Sequence, residues 1–198
     1  TNKVINMERM FQNCYELEYL DLSNFITSNV TLMNGMFNGC YKVKKIKGTE
    51  KFITNNVKNM SFIFTFCSKL KSLDLSNFNT SNVENMSMMF SNCSNLEEIK
   101  GIQNFNTNKL VDMIEIFQGC SRLKNLDLSN FNTSNVTDMS FIFSECIELK
   151  EIKGLNKFIT NKVTNMSFMF KSCNELEYLD LSSFDTSNVI YMYGMFSA

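Results

Sequence analysis

Seven cysteines recur at fixed intervals: Cys14, Cys40, Cys67, Cys93, Cys120, Cys146 and Cys173, separated alternately by 26 and 27 residues. A thiol can act as a nucleophile, join a partner in a disulfide or ligate a soft metal. Each role needs a second group beside it. The chain has no histidine, which removes the usual general base and the commonest metal ligand. It also has no C-x-x-C pair. Carboxylates are frequent, yet no nucleophile–base pair, acid–base pair or phosphate loop stands out from the repeat positions. The sequence therefore predicts no catalytic residue, no metal ligand and no cofactor. The cysteines fall among methionines and phenylalanines, so they are predicted to be buried free thiols, packing as small hydrophobes.

What positions them is a repeat. Thr27, Thr54, Thr80, Thr107, Thr133 and Thr160 keep the cysteine rhythm, as do Phe11, Phe37, Phe64, Phe90, Phe117, Phe143, Phe170 and Phe196. Self-similarity at such a period marks a stacked solenoid. Two units alternate. The shorter reads L-D-L-S-N-F-x-T-S-N-V, as from Leu73 to Val83. The longer reads I-K-G-x-x-x-F-x-T-N-x-V, as from Ile152 to Val163, with one extra residue beside Gly48, Gly101 or Gly154. Glycine next to an insertion predicts a bulge.

Each unit has two halves. In the first, Leu73, Asp74 and Leu75 alternate apolar, polar, apolar, as in a short strand with one buried face. In the second, Val83, Met86, Met89, Phe90 and Cys93 fall on one face of a helix, with Thr80 or Ser81 as its cap. The fold class expected is α/β: a solenoid with a short parallel strand and a helix in every repeat. Residues 1–198 make a single array of about seven and a half repeats, read as an uncapped piece of a longer chain.

The string L-x-x-L-x-L matches the core of leucine-rich repeats. The fuller string L-D-L-S-N-F-x-T-S-N-V-x-x-M-S-x-M-F-x-x-C-x-x-L resembles BspA-like leucine-rich-repeat proteins, the surface lipoproteins and wall-anchored proteins of low-G+C bacteria. The resemblance covers the whole chain. It implies exposure at the cell surface and adhesion, with membrane attachment only through an anchor outside this segment. Where the general repeat has a buried asparagine, this one has Phe25, Phe52, Phe78, Phe105, Phe131, Phe158 and Phe184. A phenylalanine spine is expected in place of an asparagine ladder.

Two surfaces could bind a partner. On the strand side, Asp21, Lys47, Asp74, Lys100, Asp127, Lys153 and Asp180 alternate in charge, with Glu18, Tyr19 and Tyr178 beside them. Opposite charges on neighbouring strands support a sheet, so a solvated, self-neutralising face competes with a binding face. On the helix side, Phe62, Met88, Phe141 and Phe168 point away from the core stripe, and Phe66 lies one turn after Phe62. Exposed apolar surface marks an association site, unless the segment is distorted and its neighbours cover these side chains.

Lysine and arginine number 19 against 20 acidic residues, without the basic stripe of a nucleic-acid binder. No apolar run approaches the roughly 20 residues that span a bilayer. The reading that follows is a cell-surface adhesion module for protein or glycan ligands. A self-associating structural component and an intracellular scaffold are the alternatives.

Overall fold

The computed structural model describes residues 1–198 as a stack of coils. Six three-residue strands line one side: β1 (Tyr19–Asp21), β2 (Lys45–Lys47), β3 (Ser72–Asp74), β4 (Glu98–Lys100), β5 (Asn125–Asp127) and β6 (Glu151–Lys153). They pair in parallel two by two, β1 with β2, β3 with β4 and β5 with β6. Leu73 stands opposite Ile99, and Leu126 opposite Ile152. The middle residue of β2 to β6 is buried and its neighbours face outward, as the L-D-L alternation predicts.

The expected helix in every repeat is absent, so the α/β class needs correction. From Asn59 to Cys67 the chain makes overlapping tight turns. Met60, Phe62, Phe64 and Phe66 donate their amides to Asn85, Ser87, Met89 and Ser91 of the next coil, at 2.8–3.0 Å. The residues between bond locally, as Thr65 to Phe62 and Cys67 to Phe64. Every coil repeats two left-handed residues four apart, such as Phe62 and Phe66 (φ 60° and 61°) or Met88 and Asn92 (φ 54° and 60°). A right-handed helix cannot pass through such residues. The apolar positions are nonetheless those of the helical reading: Val57, Met60, Ile63, Phe64 and Cys67 are all fully buried. Successive three-residue turns bring the same side chains inward as a helix of 3.6 residues per turn does.

The core is one cluster of 51 buried residues. A continuous stack of eight rings runs through it, Phe11, Phe37, Phe64, Phe90, Phe117, Phe143, Phe170 and Phe196, with half-buried Phe11 and exposed Phe196 as its ends. Neighbouring centroids lie 5.4–5.9 Å apart, with interplanar angles of 13° or less. The other phenylalanine column stacks only in pairs: Phe52 on Phe78, Phe105 on Phe131 and Phe158 on Phe184, at 6.2–6.5 Å. These pairs join the coils whose strands do not pair.

The cysteines are free. Cys67, Cys93, Cys120 and Cys146 are fully buried, and each thiol donates to a phenylalanine carbonyl in the preceding coil, as Cys93 Sγ does to Phe64 O at 3.0 Å. Burial pushes the Cys93 thiol up to about 12, so it stays protonated and unreactive.

The threonine register has a different role from the predicted helix cap. Thr107 Oγ1 donates to Asn132 O at 3.1 Å and accepts from Asn132 N at 2.6 Å, binding one coil to the next. Thr54 and Thr133 make the same two-way clamp with Asn79 and Ile159. An asparagine ladder is also present, shifted from its usual place: Asn29, Asn56, Asn82 and Asn135 donate to backbone carbonyls of the preceding coil. Thr107→Val keeps the shape but leaves the part-buried amide and carbonyl of Asn132 without this partner. Its expected cost is about 1–3 kcal/mol, read as a lower urea midpoint at unchanged slope. A midpoint equal to the parent's would remove the clamp from the account.

The extra residue of the longer unit does not make a ladder bulge. Gly48, Gly101 and Gly154 take left-handed backbone angles (φ 97°, 91° and 86°), and each opens a single 3₁₀ turn. A side chain there has no room: a Cβ on Gly101 would lie 2.6 Å from the Ser76 backbone of the preceding coil.

Candidate functional site

The strand face is built from the pairing of short and long units. Asp21 and Asp74 accept from the backbone amides two residues on, Ser23 and Ser76, which fixes each carboxylate at its strand end. Lys47 and Lys100 of the paired strands then reach them, at 3.1 and 2.8 Å. Glu18 pairs with Lys44 at 2.8 Å, and Lys150 with Glu177 at 3.0 Å. Asp127 has the same turn with Ser129, but Lys153 and Lys157 act on it only through their field. The predicted alternation of charge is therefore resolved into local pairs. All of these groups are at least partly exposed, where a single pair contributes little to stability.

The pairs still contribute to the acid response. The Lys100 ammonium and the Ser76 hydrogen bonds hold the Asp74 carboxyl down to about 2, and the Ser23 and Lys47 hydrogen bonds do the same for Asp21. Both values lie below those of the unfolded chain. The stability they contribute is complete above about pH 4 and is lost as the pH falls toward 2. The melting temperature is expected to be flat from pH 7 to 5 and to drop between about pH 4 and 2, less steeply in Asp74→Asn. An identical acid profile for that variant would show that the pair has no part in it.

On either side of the β5–β6 pair the face opens. A cleft of about 550 Å³ separates β4 from β5, with Ile99, Ile102 and Leu126 among its lining and Glu98, Asp127, Glu151 and Lys153 around it. A second, of about 330 Å³, lies between β6 and Asp180, beside Tyr178. The insertion at Gly101 or Gly154 lies next to each. Tyr19 and Tyr178 are 65% and 72% exposed. Lys44 Nζ sits 5.8 Å from the Tyr19 ring centre, an electrostatically favourable contact. Of the strand-side residues named from the sequence, Lys153, Tyr178 and Asp180 meet at one cleft and Lys153 and Asp127 at the other. Glu18, Tyr19, Asp21 and Lys47 form a separate group around β1 and β2. The clefts themselves were not foreseen; the alternation of 26 and 27 residues was the signal for them.

The predicted apolar stripe lies on no helix. Phe62, Phe66, Met88, Phe141 and Phe168 all occupy the left-handed turn positions. Four of them are half-buried and Phe66 is exposed. Phe141 stacks on Phe168 at 4.8 Å, Phe168 meets Tyr193 edge-on at 5.0 Å, and Phe66 meets Tyr41 at 5.7 Å. Glu115 interrupts the row between Met88 and Phe141, its carboxyl raised by burial. The row is two aromatic clusters rather than one continuous stripe.

This architecture is that of known bacterial leucine-rich-repeat proteins. A T. pallidum leucine-rich-repeat protein superposes with a TM-score of 0.54 at 19% identity, covering 87% of this chain and 72% of its own. A leucine-rich-repeat protein from Eubacterium ventriosum gives 0.55 at 18% identity, covering 91% of this chain and 42% of its own. The likeness to BspA-like repeats read from the motif agrees with both. No curated protein matches the sequence. The family model described as "Mycoplasma protein of unknown function, DUF285" matches residues 1–98, 63–156 and 112–198, and the chain belongs to that family.

Proposed function

We propose that this chain is a non-catalytic binding module of a cell surface, presenting its strand face to a protein or glycan. The observation that carries the reading is the pair of clefts on that face, between β4 and β5 and between β6 and Asp180. The linings of both clefts join charged rims to apolar floors, and the exposed Tyr178 stands beside the second. A few oriented polar groups over apolar surface are what a recognition site uses, and solenoids carry binding on such extended faces. The BspA-like resemblance supports the surface location.

The test is binding of the purified chain to immobilised matrix proteins and glycans, alongside Tyr178→Ala with Lys153→Glu. The double variant is expected to lose at least about tenfold in affinity for any ligand found, which is about 1.4 kcal/mol. Equal binding by parent and variant would move the site off this face. Protease treatment of intact source cells addresses location. Release of peptides from the array supports the surface reading, and protection until lysis favours an intracellular scaffold. Self-association is a second reading, favoured by the Phe141–Phe168–Tyr193 cluster, whose last ring is 75% exposed. It requires Phe141→Asp with Phe168→Asp to convert an assembly into a monomer.

A further inference from the structure

On the turn side, opposite the strands, the left-handed column runs Arg9, Gly35, Phe62, Met88. Gly35 is the one place among these four with no side chain. A cleft of about 390 Å³ opens there, bounded by Arg9, Phe62 and a group of amides. The volume falls in the range of small-molecule sites.

Its lining is unlike that of the other clefts. Gln12, Asn34, Asn38 and Asn59 contribute carboxamides, Phe62 the single apolar side chain, and no carboxylate or lysine takes part. Asn34 Nδ2 donates to Glu8 Oε1 at 2.9 Å, and Asn59 Oδ1 accepts from Ser61 N at 2.8 Å. Each amide thus keeps its other group for a ligand, Asn34 an acceptor and Asn59 a pair of donors. Arg9 is already turned to Glu8, 3.6 Å away. Where Phe168 covers the ring of Phe141, the neighbour of Phe62 in the preceding coil is Gly35, so no ring lies over Phe62 from that side. Three residues beyond Gln12 and Asn38, Tyr15 stacks on Tyr41 at 5.6 Å and Tyr41 meets Phe66, all three exposed.

We propose that the Gly35 cleft is a saccharide site, taking a neutral mono- or disaccharide with its C–H face on Phe62 and its hydroxyls on the carboxamides. A sugar hydroxyl donates and accepts at once, and a carboxamide offers both partners in one plane. The one charged group of the lining, Arg9, faces Glu8, and the carboxamides around it match vicinal hydroxyls well. The Tyr15–Tyr41–Phe66 cluster continues the aromatic surface for further sugar units. This assignment is independent of the strand-face reading, and it places a second kind of recognition on the opposite side of the solenoid.

The experiment is amide-detected NMR titration of the whole chain with the methyl glycosides of glucose, galactose and N-acetylglucosamine, and with methyl glucuronide as the charged control. A neutral glycoside is expected to shift the side-chain amides of Asn38 and Asn59 and leave the strand face unmoved. Two variants decide the contacts. Phe62→Asn removes the ring and suits the left-handed backbone better than phenylalanine; its affinity should fall about tenfold. Gly35→Asn places the residue type that best accepts φ +64° with its Cβ 3.2 Å from Arg9 Cγ, on a side chain that can turn, and fills the cleft, so binding should be lost. Thermal melts confirm that both variants fold. The proposal is overturned if no neutral glycoside shifts the cleft amides, if the shifts fall on strand-side residues, if only the glucuronide binds, or if folded Phe62→Asn binds as the parent does.

Discussion

Replacing Phe90 by alanine is expected to destabilise the protein by about 3–5 kcal/mol, the range for a buried phenylalanine reduced to a methyl group. Phe90 is fully buried and stacks on both neighbours, at 5.9 Å from Phe64 and 5.7 Å from Phe117. The coil backbone on either side is tied into inter-coil hydrogen bonds, so the gap cannot close without breaking them. Stability in a solenoid is carried by contacts between neighbours, and a gap at Phe90 weakens two interfaces together. Urea unfolding should therefore show a lower midpoint and a broadened or split transition, the coils before and after Phe90 melting separately. Phe78→Ala is the comparison. Phe78 has one stacking partner, Phe52, and its loss should leave the transition single. A Phe90→Ala loss below about 1 kcal/mol would place it among ordinary surface changes and contradict the stacked-spine account.

The second large effect is expected from the smallest possible change, Gly101→Ala. Two costs add. A left-handed angle disfavours an L-residue by about 1–2 kcal/mol. The added carbon would also stand 2.6 Å from Ser76 N and Cα, backbone atoms that cannot swing aside. A total of roughly 2–4 kcal/mol is expected, with the damage centred on the β3–β4 pair. Gly119→Ala separates the two terms. Its φ of +68° imposes the same angular cost, but the nearest atom to its Cβ is Asn92 Oδ1 at 2.8 Å, on a side chain that can turn. Thermal melts of the two variants should differ clearly, Gly101→Ala being the weaker. Equal melts would mean that the coil spacing at Ser76 is adjustable and that Gly101 serves conformation alone.

These effects mark what was readable in the chain and what was not. The strand was legible because Leu73, Asp74 and Leu75 alternate with a period that only an extended segment has. The inward set of the second half was legible too, since Met60, Ile63, Phe64 and Cys67 are apolar in every coil. Its backbone was misread because spacings of three and four serve a helix and a chain of three-residue turns equally. The deciding signal lay elsewhere. Gly39, Gly119, Asn13 and Asn92 share one column, and Gly35 and Gly194 another; glycine and asparagine are the residues that enter left-handed angles most readily. Phenylalanine and methionine in the same columns hid that pattern. Thr107 was visible as a repeat position, but its partner, Asn132, is a backbone group 25 residues away, and periodicity along one coil says nothing about bonds between coils. The clefts on both faces escaped notice for the same reason, being properties of adjacent coils rather than of any motif.

The two-by-two pairing bears on how such an array can grow. Strands join a short unit to the long one after it, and the Phe52–Phe78 type of stack joins that long unit to the next short one. The repeating unit, with one interface of each kind per period, is therefore two coils, one of 26 and one of 27 residues. Duplicating or deleting such a segment leaves every junction with its proper counterpart. Copying a single coil would set like against like and strand one partner. Array length should therefore change across related genes in steps of two coils.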